Sequence, residues 1–231
     1  MNDSIFWEYL EELPEHKAAW IEWSRRLKGW HRFNTFYIHF VRVDNKRVKL
    51  LKCMTPYDQV DEFIPVEPGS AGMQEKPACA QIKLKEILIY SLDRETLHRA
   101  LCVSLNIKYA EDSRTEHENV WHLGDYSGTE VYLTYETSTL TDTISSLYLS
   151  HQKPFILMVP TVKNIAPEIQ QFMAKNNSIL LSMADELHLQ PDGSFKPVCS
   201  IRECMKSSNR SIFTTELTED TEKYSFIHEW H

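Results

Sequence analysis

A chain of 231 residues can bury one large core or two modest ones, and 42% hydrophobic with 25% charged residues is the composition of a folded protein, not a disordered one. Six glycines leave little room for a phosphate cradle: the nearest candidate, Gly69-Ser70-Ala71-Gly72, lacks the Lys-Ser/Thr that a P-loop places next. Short apolar runs, no signal-peptide pattern in the first 25 residues and five dispersed cysteines predict a cytoplasmic chain with reduced thiols and no membrane contact.

In chain order, residues 1–54 read as an N-terminal helix followed by a β-hairpin. Pro14 suits a first helical turn, and Trp20, Trp23, Leu27 and Trp30 recur at 3-4-3 spacing, marking one apolar stripe that ends near Gly29. Residues 34–43 and 46–53 are rich in aromatic and β-branched side chains and flank Asp44-Asn45, which predicts two strands around a short turn. Residues 55–80 hold Pro56, Pro65, Pro68 and Pro77 and read as a loop or linker.

Residues 81–215 read as an α/β domain. Residues 81–90 are apolar enough for a strand, with a helix as the alternative for so short a run; a helix capped by Asp93 follows, with Leu97, Ala100, Leu101 and Leu105 on its core face. Strands at 119–123 and 129–135 are joined around Gly124 and Gly128. Leu140, Ile144, Leu147 and Tyr148 mark another helix, and the unbroken apolar run from Phe155 to Val159 reads as a strand buried on both faces. Ile165, Ile169, Phe172 and Met173 mark a helix entered through Pro167, and residues 178–181 form the next strand; residues 216–231 are an acidic tail. The class predicted is α/β or α+β: a mixed sheet with a parallel β-α-β unit in the second half, plus the N-terminal helix and hairpin. Residues 154–159 are its expected central parallel strand, flanked by helices near 139–149 and 165–175.

Charge is segregated. The whole chain is at −8, but residues 17–52 carry ten basic and two acidic side chains, +8, which leaves 15 basic and 31 acidic, −16, elsewhere. Arg25, Arg26, Arg32, Arg42, Lys46, Arg47 and Lys49 are therefore the candidate nucleic-acid or partner-binding residues, since cations meet phosphates and interleaved aromatics stack on bases. The competing reading makes the tryptophans core and docks the basic face on acidic surface, of this chain or of a second subunit.

Other constellations select less. Cys199, Cys204, His228 and His231 are the right ligand types for zinc. However, Cys-x4-Cys and His-x2-His miss the finger spacing, and two cysteines five apart do not share a helix face. His117 and His122, also five apart, read as surface and packing residues. Asp61 or Glu62 with Gln81-Ile82-Lys83 is a short nuclease-like pattern that chance supplies often. With no Gly-x-Ser-x-Gly elbow and no cysteine in an activating setting, no catalytic residue, metal or cofactor is assigned.

Leu97-His98-Arg99-Ala100-Leu101 followed by Leu105-Asn106-Ile107, Trp121-His122-Leu123-Gly124, Pro154-Phe155-Ile156-Leu157-Met158-Val159-Pro160, and Leu187-His188-Leu189 before Asp192-Gly193 carry a resemblance. Across about 40% of the chain this resembles a family of uncharacterised bacterial proteins. In that family a similar α/β segment precedes a winged-helix-like, nucleic-acid-associated module, introduced by something similar to Tyr224-Ser225-Phe226-Ile227-His228. Since this chain stops at His231, that module is expected to be missing. The resemblance brings no catalytic residues and implies a sensor, effector or interaction module of a regulatory protein. The function expected is thus a non-catalytic accessory or regulatory module with a protein partner or homo-oligomer. The alternative is a metal-dependent nuclease or nucleic-acid-binding protein using residues 17–52.

Overall fold

The computed structural model describes residues 3–47, 49–52, 63–66, 88–111, 115 and 119–204. Among them no helix is long and apolar enough to cross a membrane. The chain divides into two compact units, one of Glu12–Thr96 and one of Met1–Glu11 with Leu97–His231. Helix α1 (Ser4–Glu12), which the sequence pattern did not single out, lies almost wholly within the second of these. The linker expected at 55–80 falls outside the described residues except for 63–66, and the tail at 216–231 lies wholly outside them.

In the unit of residues 12–96, a 3-10 turn at Pro14–His16 leads to β1 (Lys17–Ala19), α2 (Trp20–Arg26), α3 (Phe33–Phe40), β2 (Val41–Arg47), β3 (Lys49–Lys52), β4 (Phe63–Val66) and β5 (Leu88–Leu92). Pro14 therefore does not open the tryptophan helix. That helix starts at Trp20, where the Glu22 carboxylate accepts the Ala19 N–H at 3.1 Å, satisfying a donor that the first turn leaves over. The stripe itself is core: Trp23, Leu27 and Trp30 are buried, and the Trp23 indole N–H donates to the Tyr90 carbonyl at 3.2 Å.

Residues 33–40 are helical where composition predicts a strand. As a helix the segment puts Phe36 and Phe40, four apart, into the core and leaves Ile38 74% exposed. A strand would have turned Ile38 to the same face as both phenylalanines. The Asp44-Asn45 hairpin is likewise corrected. Both residues lie inside β2, which pairs antiparallel with β5 through Val41↔Leu92 and Val43↔Tyr90, while β3 pairs with β4. Asp-Asn offers no glycine for the positive φ of a tight hairpin turn, and β5 brings the buried Tyr90 and Leu92. The order in the three-stranded sheet is β1-β5-β2. Asp93 caps α4 (Arg94–Leu105) as expected, accepting the Thr96 N–H at 3.2 Å and its hydroxyl at 2.7 Å.

The other unit carries the mixed α/β sheet that the class predicted. Its elements are β6 (Lys108–Tyr109), β7 (Val120–Tyr126), β8 (Thr129–Thr134), α5 (Leu140–His151), β9 (Phe155–Val159), α6 (Pro167–Lys175), β10 (Ile179–Ser182), α7 (Met183–Glu186), β11 (Leu187–Leu189) and β12 (Phe195–Pro197). The five-stranded order is β10-β9-β8-β7-β6. β8, β9 and β10 run parallel, linked by α5 and α6, and β7 and β6 continue the sheet antiparallel. All five residues of β9 are buried. Phe155, Leu157 and Val159 share one core cluster with Leu140, Ile144 and Leu147 of α5 and Met173 of α6, and Ile156 and Met158 are as fully enclosed. A strand flanked by parallel neighbours and covered on both faces needs that continuous apolar run.

Two turns in this unit depend on positive φ. β7 and β8 are joined through Ser127 (φ 52) and Gly128 (φ 89), the two-residue hairpin geometry that matches strand twist. Within β7 the register slips between His122 and Gly124; Gly124 has φ 142, and a Cβ there would stand 1.9 Å from the Lys108 carbonyl oxygen of β6. β11 and β12 form a separate antiparallel pair, turned through Asp192 and Gly193. The buried Asp3 carboxylate accepts the Leu189 N–H at 3.2 Å, so the segment before α1 is tied to this hairpin.

Candidate functional site

Arg25 and Arg26 stand exposed in the last turn of α2, where a cation also complements the negative end of the helix dipole. Arg26 reaches the Glu12 carboxylate at 3.8 Å. Arg32 precedes α3 half-buried, with its Nε enclosed and, among the described residues, without a hydrogen-bond partner. Arg42 projects from β2 and pairs with Asp93 at the cap of α4. Burial alone would push the Asp93 carboxyl up, but the hydrogen bonds from Thr96 and Arg42 outweigh it and hold the group below its ordinary range. Lys46 and Arg47 lie on β2 and Lys49 on β3 by backbone position; their side chains lie outside the described part. Lys17, another member of the basic segment, is 3.5 Å from Glu15. Two of the seven candidate cations, Arg26 and Arg42, and Lys17 beside them in the basic segment are thus already facing carboxylates of their own unit.

Chemistry-bearing side chains gather elsewhere. Asp61, Glu62, the Gln81-Ile82-Lys83 run, His117, His228 and His231 lie outside the described residues. His122, on β7, is half-buried with its ring 5.2 Å from that of Tyr132. On β8 and the end of α5, the Tyr132 hydroxyl donates to the Glu130 carboxylate and lies 3.0 Å from His151 Nε2. Burial first, then the Glu130 hydrogen bond and charge, push the Tyr132 phenol well above its ordinary range, so it serves as a neutral donor and not a base. His98, from the first resemblance motif, is buried against the rings of the buried Tyr135 and the half-buried Trp121.

Cys199 and Cys204 are brought together, contrary to the expectation drawn from their spacing. Cys199 does not sit on a helix. It leaves β12, held by the Val198 N–H to Glu186 carbonyl bond at 2.8 Å, and precedes helical backbone that begins at residue 201. Ser200 caps its first turn: the Ser200 N–H and hydroxyl each donate to Glu203 Oε2 at 2.8 Å, and the Glu203 N–H returns to the Ser200 hydroxyl at 3.3 Å. This Ser-x-x-Glu capping box was legible at residues 200–203 and is the signal that shows Cys204 returning over Cys199. Glu186, at the end of α7, completes the group. The Cys199 thiol donates to Glu186 Oε2 at 3.0 Å, and the three potential ligand atoms lie within 4.8 Å of one another. Among the described residues this is the one group of three or more that could hold a metal ion.

Both thiols are held up. For Cys199 burial is the main cause, with Cys204 working against it and Glu186 adding to it; for Cys204 burial again leads, joined by Cys199 and Glu186. Cys102, buried on α4, is pushed up to about 12 by burial alone. Among the described residues, Cys102, Cys199 and Cys204 form no disulfide.

No family model matches the chain, and neither a curated protein nor a solved structure is found to match it.

Proposed function

We propose that the chain is a cytoplasmic accessory or regulatory module that acts by binding protein, a second copy of itself in the first instance, and performs no chemistry of its own. The observation that carries this reading is the mixed surface of the unit of residues 12–96. Lys17, Arg26 and Arg42 are each engaged by a neighbouring carboxylate, while Ile38 and Val43 stand exposed at 74% and 45%. Phosphate binding asks for cations left for phosphate oxygens. Protein interfaces instead combine apolar and aromatic side chains with arginines and a polar rim. The segregated charge supports a second copy as partner, because +8 in residues 17–52 faces −16 in the rest of the same sequence. Free thiols and the resemblance to a bacterial family of regulatory layout are in keeping with this reading.

Sedimentation velocity over a concentration series, at low and at high salt, is the test. The expected result is self-association that weakens with salt, and that Arg25→Glu with Arg26→Glu and Ile38→Glu weakens by about tenfold or more while the melting temperature stays within about 2 °C. A chain that stays monomeric and shifts single-stranded or duplex nucleic acid, with an affinity falling steeply with salt and lost in the same variant, would overturn the reading in favour of nucleic-acid binding.

A further inference from the structure

We propose that Glu186, Cys199 and Cys204 form a binding site for one soft divalent metal ion of the zinc class. The site is built from three short-range constraints. The pairing Leu187↔Pro197 sets the two ends of the β11–β12 hairpin side by side, so Glu186, just before β11, meets the chain just after β12. The bond from Val198 N–H to the Glu186 carbonyl closes that end, which puts Cys199 beside the Glu186 carboxylate. The Ser200–Glu203 capping box then starts a helical turn whose Cys204 N–H bonds to the Ser200 carbonyl at 3.1 Å, returning the second thiol to the first. Glu203, turned back onto Ser200, stays engaged with the cap.

The spacing is near what a metal requires. Tetrahedral zinc, with bonds of about 2.3 Å to sulfur and about 2.0 Å to oxygen, holds two sulfurs about 3.8 Å apart and sulfur and oxygen about 3.5 Å apart. Three donor atoms already within 4.8 Å of one another, with Cys199 and Glu186 at 3.0 Å, need shifts of about 1 Å to reach that geometry. Two sulfurs and one carboxylate select zinc or cadmium over magnesium or calcium, which prefer all-oxygen shells. Cys204 is 8% exposed and lines the back of the site, while Cys199 and Glu186 are half-buried and give an ion its way in. On binding, the ion replaces the thiol protons: a divalent cation, two thiols and one carboxylate give a bis-thiolate carboxylate complex and two released protons. Water or a small ligand takes the fourth position. The site belongs to the unit with the parallel strands, and does not depend on the protein-binding reading of residues 12–96.

Cobalt(II), under a non-chelating reductant and without oxygen, is the probe for the purified full chain, followed by zinc competition against a chromogenic chelator. Wild type is expected to take up one cobalt with a sulfur-to-metal charge-transfer band, which zinc then abolishes. Cys199→Ser should lower affinity by about 100-fold and shrink that band, whereas Glu186→Gln should keep the band and lose about tenfold in affinity. Cys53→Ser with Cys79→Ser should change neither. Circular dichroism of each metal-free variant establishes that it is folded, and Glu186→Gln carries the test if Cys199→Ser is not. No charge-transfer band in reduced wild type would overturn the site. So would affinities unchanged in both Cys199→Ser and Glu186→Gln, or a band lost only with Cys53 and Cys79.

Discussion

The sharpest structural test contrasts two glycines of one hairpin, Gly124 and Gly128. Both have positive φ, 142 and 89, so an alanine at either is strained by the backbone alone. They differ in what the new methyl would meet. At Gly128 there is nothing within 4 Å, and the strain, partly offset by the stiffer unfolded chain, costs about 1 kcal/mol. At Gly124 the methyl would stand 1.9 Å from the Lys108 carbonyl oxygen and 3.0 Å from the Ala110 nitrogen, both backbone atoms that cannot rotate away. Strain of about 1–3 kcal/mol is then joined by loss of the β6–β7 pairing and of the Ala110 N–H to Leu123 carbonyl bond, at about 1 kcal/mol for each hydrogen bond. The expected total for Gly124→Ala is about 4 kcal/mol. Urea unfolding followed by circular dichroism and tryptophan fluorescence measures both variants, and hydrogen exchange at the Ala110 amide gives the local readout. Equal midpoint shifts for the two variants, or an Ala110 amide as protected in Gly124→Ala as in wild type, would refute the reasoning.

Further outcomes follow from burial and charge. His16 is pushed down to about 4, first by burial and then by repulsion from Arg94, against an ordinary value of 6.5. As pH falls below 6.5 the unfolded chain takes the proton and the folded one does not, so this stabilisation is complete above about 6.5 and is lost progressively towards 4, up to about 3 kcal/mol in all. Urea midpoints across that window should fall less steeply in His16→Asn, which does not titrate and tolerates the φ of 55; parallel slopes would contradict it. Leu157→Ala removes a fully enclosed side chain from the middle of β9 and should cost about 3–5 kcal/mol, whereas Val103→Ala, at 84% exposure, should stay within about 0.5 kcal/mol. Comparable losses in the two variants would contradict the burial assigned to β9.

Much of the second half was legible without coordinates. An unbroken apolar run from Phe155 to Val159, the helical apolar spacing of Leu140, Ile144, Leu147 and Tyr148 and a proline opening the next helix leave few arrangements other than parallel strands covered on both faces. Asp93 likewise announced the start of α4. These are local signals, since periodicity and caps act over one or two turns of chain. What only the tertiary structure decided involves partners far apart in sequence. Residues 33–40 are aromatic enough for either strand or helix, and the choice follows from burying Phe36 and Phe40 while Ile38 faces water. β2 contains the pair read as a turn because β5, brought close by the fold, offers a better partner than β3. The basic segment was visible as charge, but not that Glu12, Glu15 and Asp93 would face its members. Cys199 and Cys204 were visible as thiols, yet Glu186 joins them only because a hairpin folds its two ends together and a capped turn reverses the chain again. Side-chain type is written in the sequence; which side chains become neighbours is settled by the packing of distant segments.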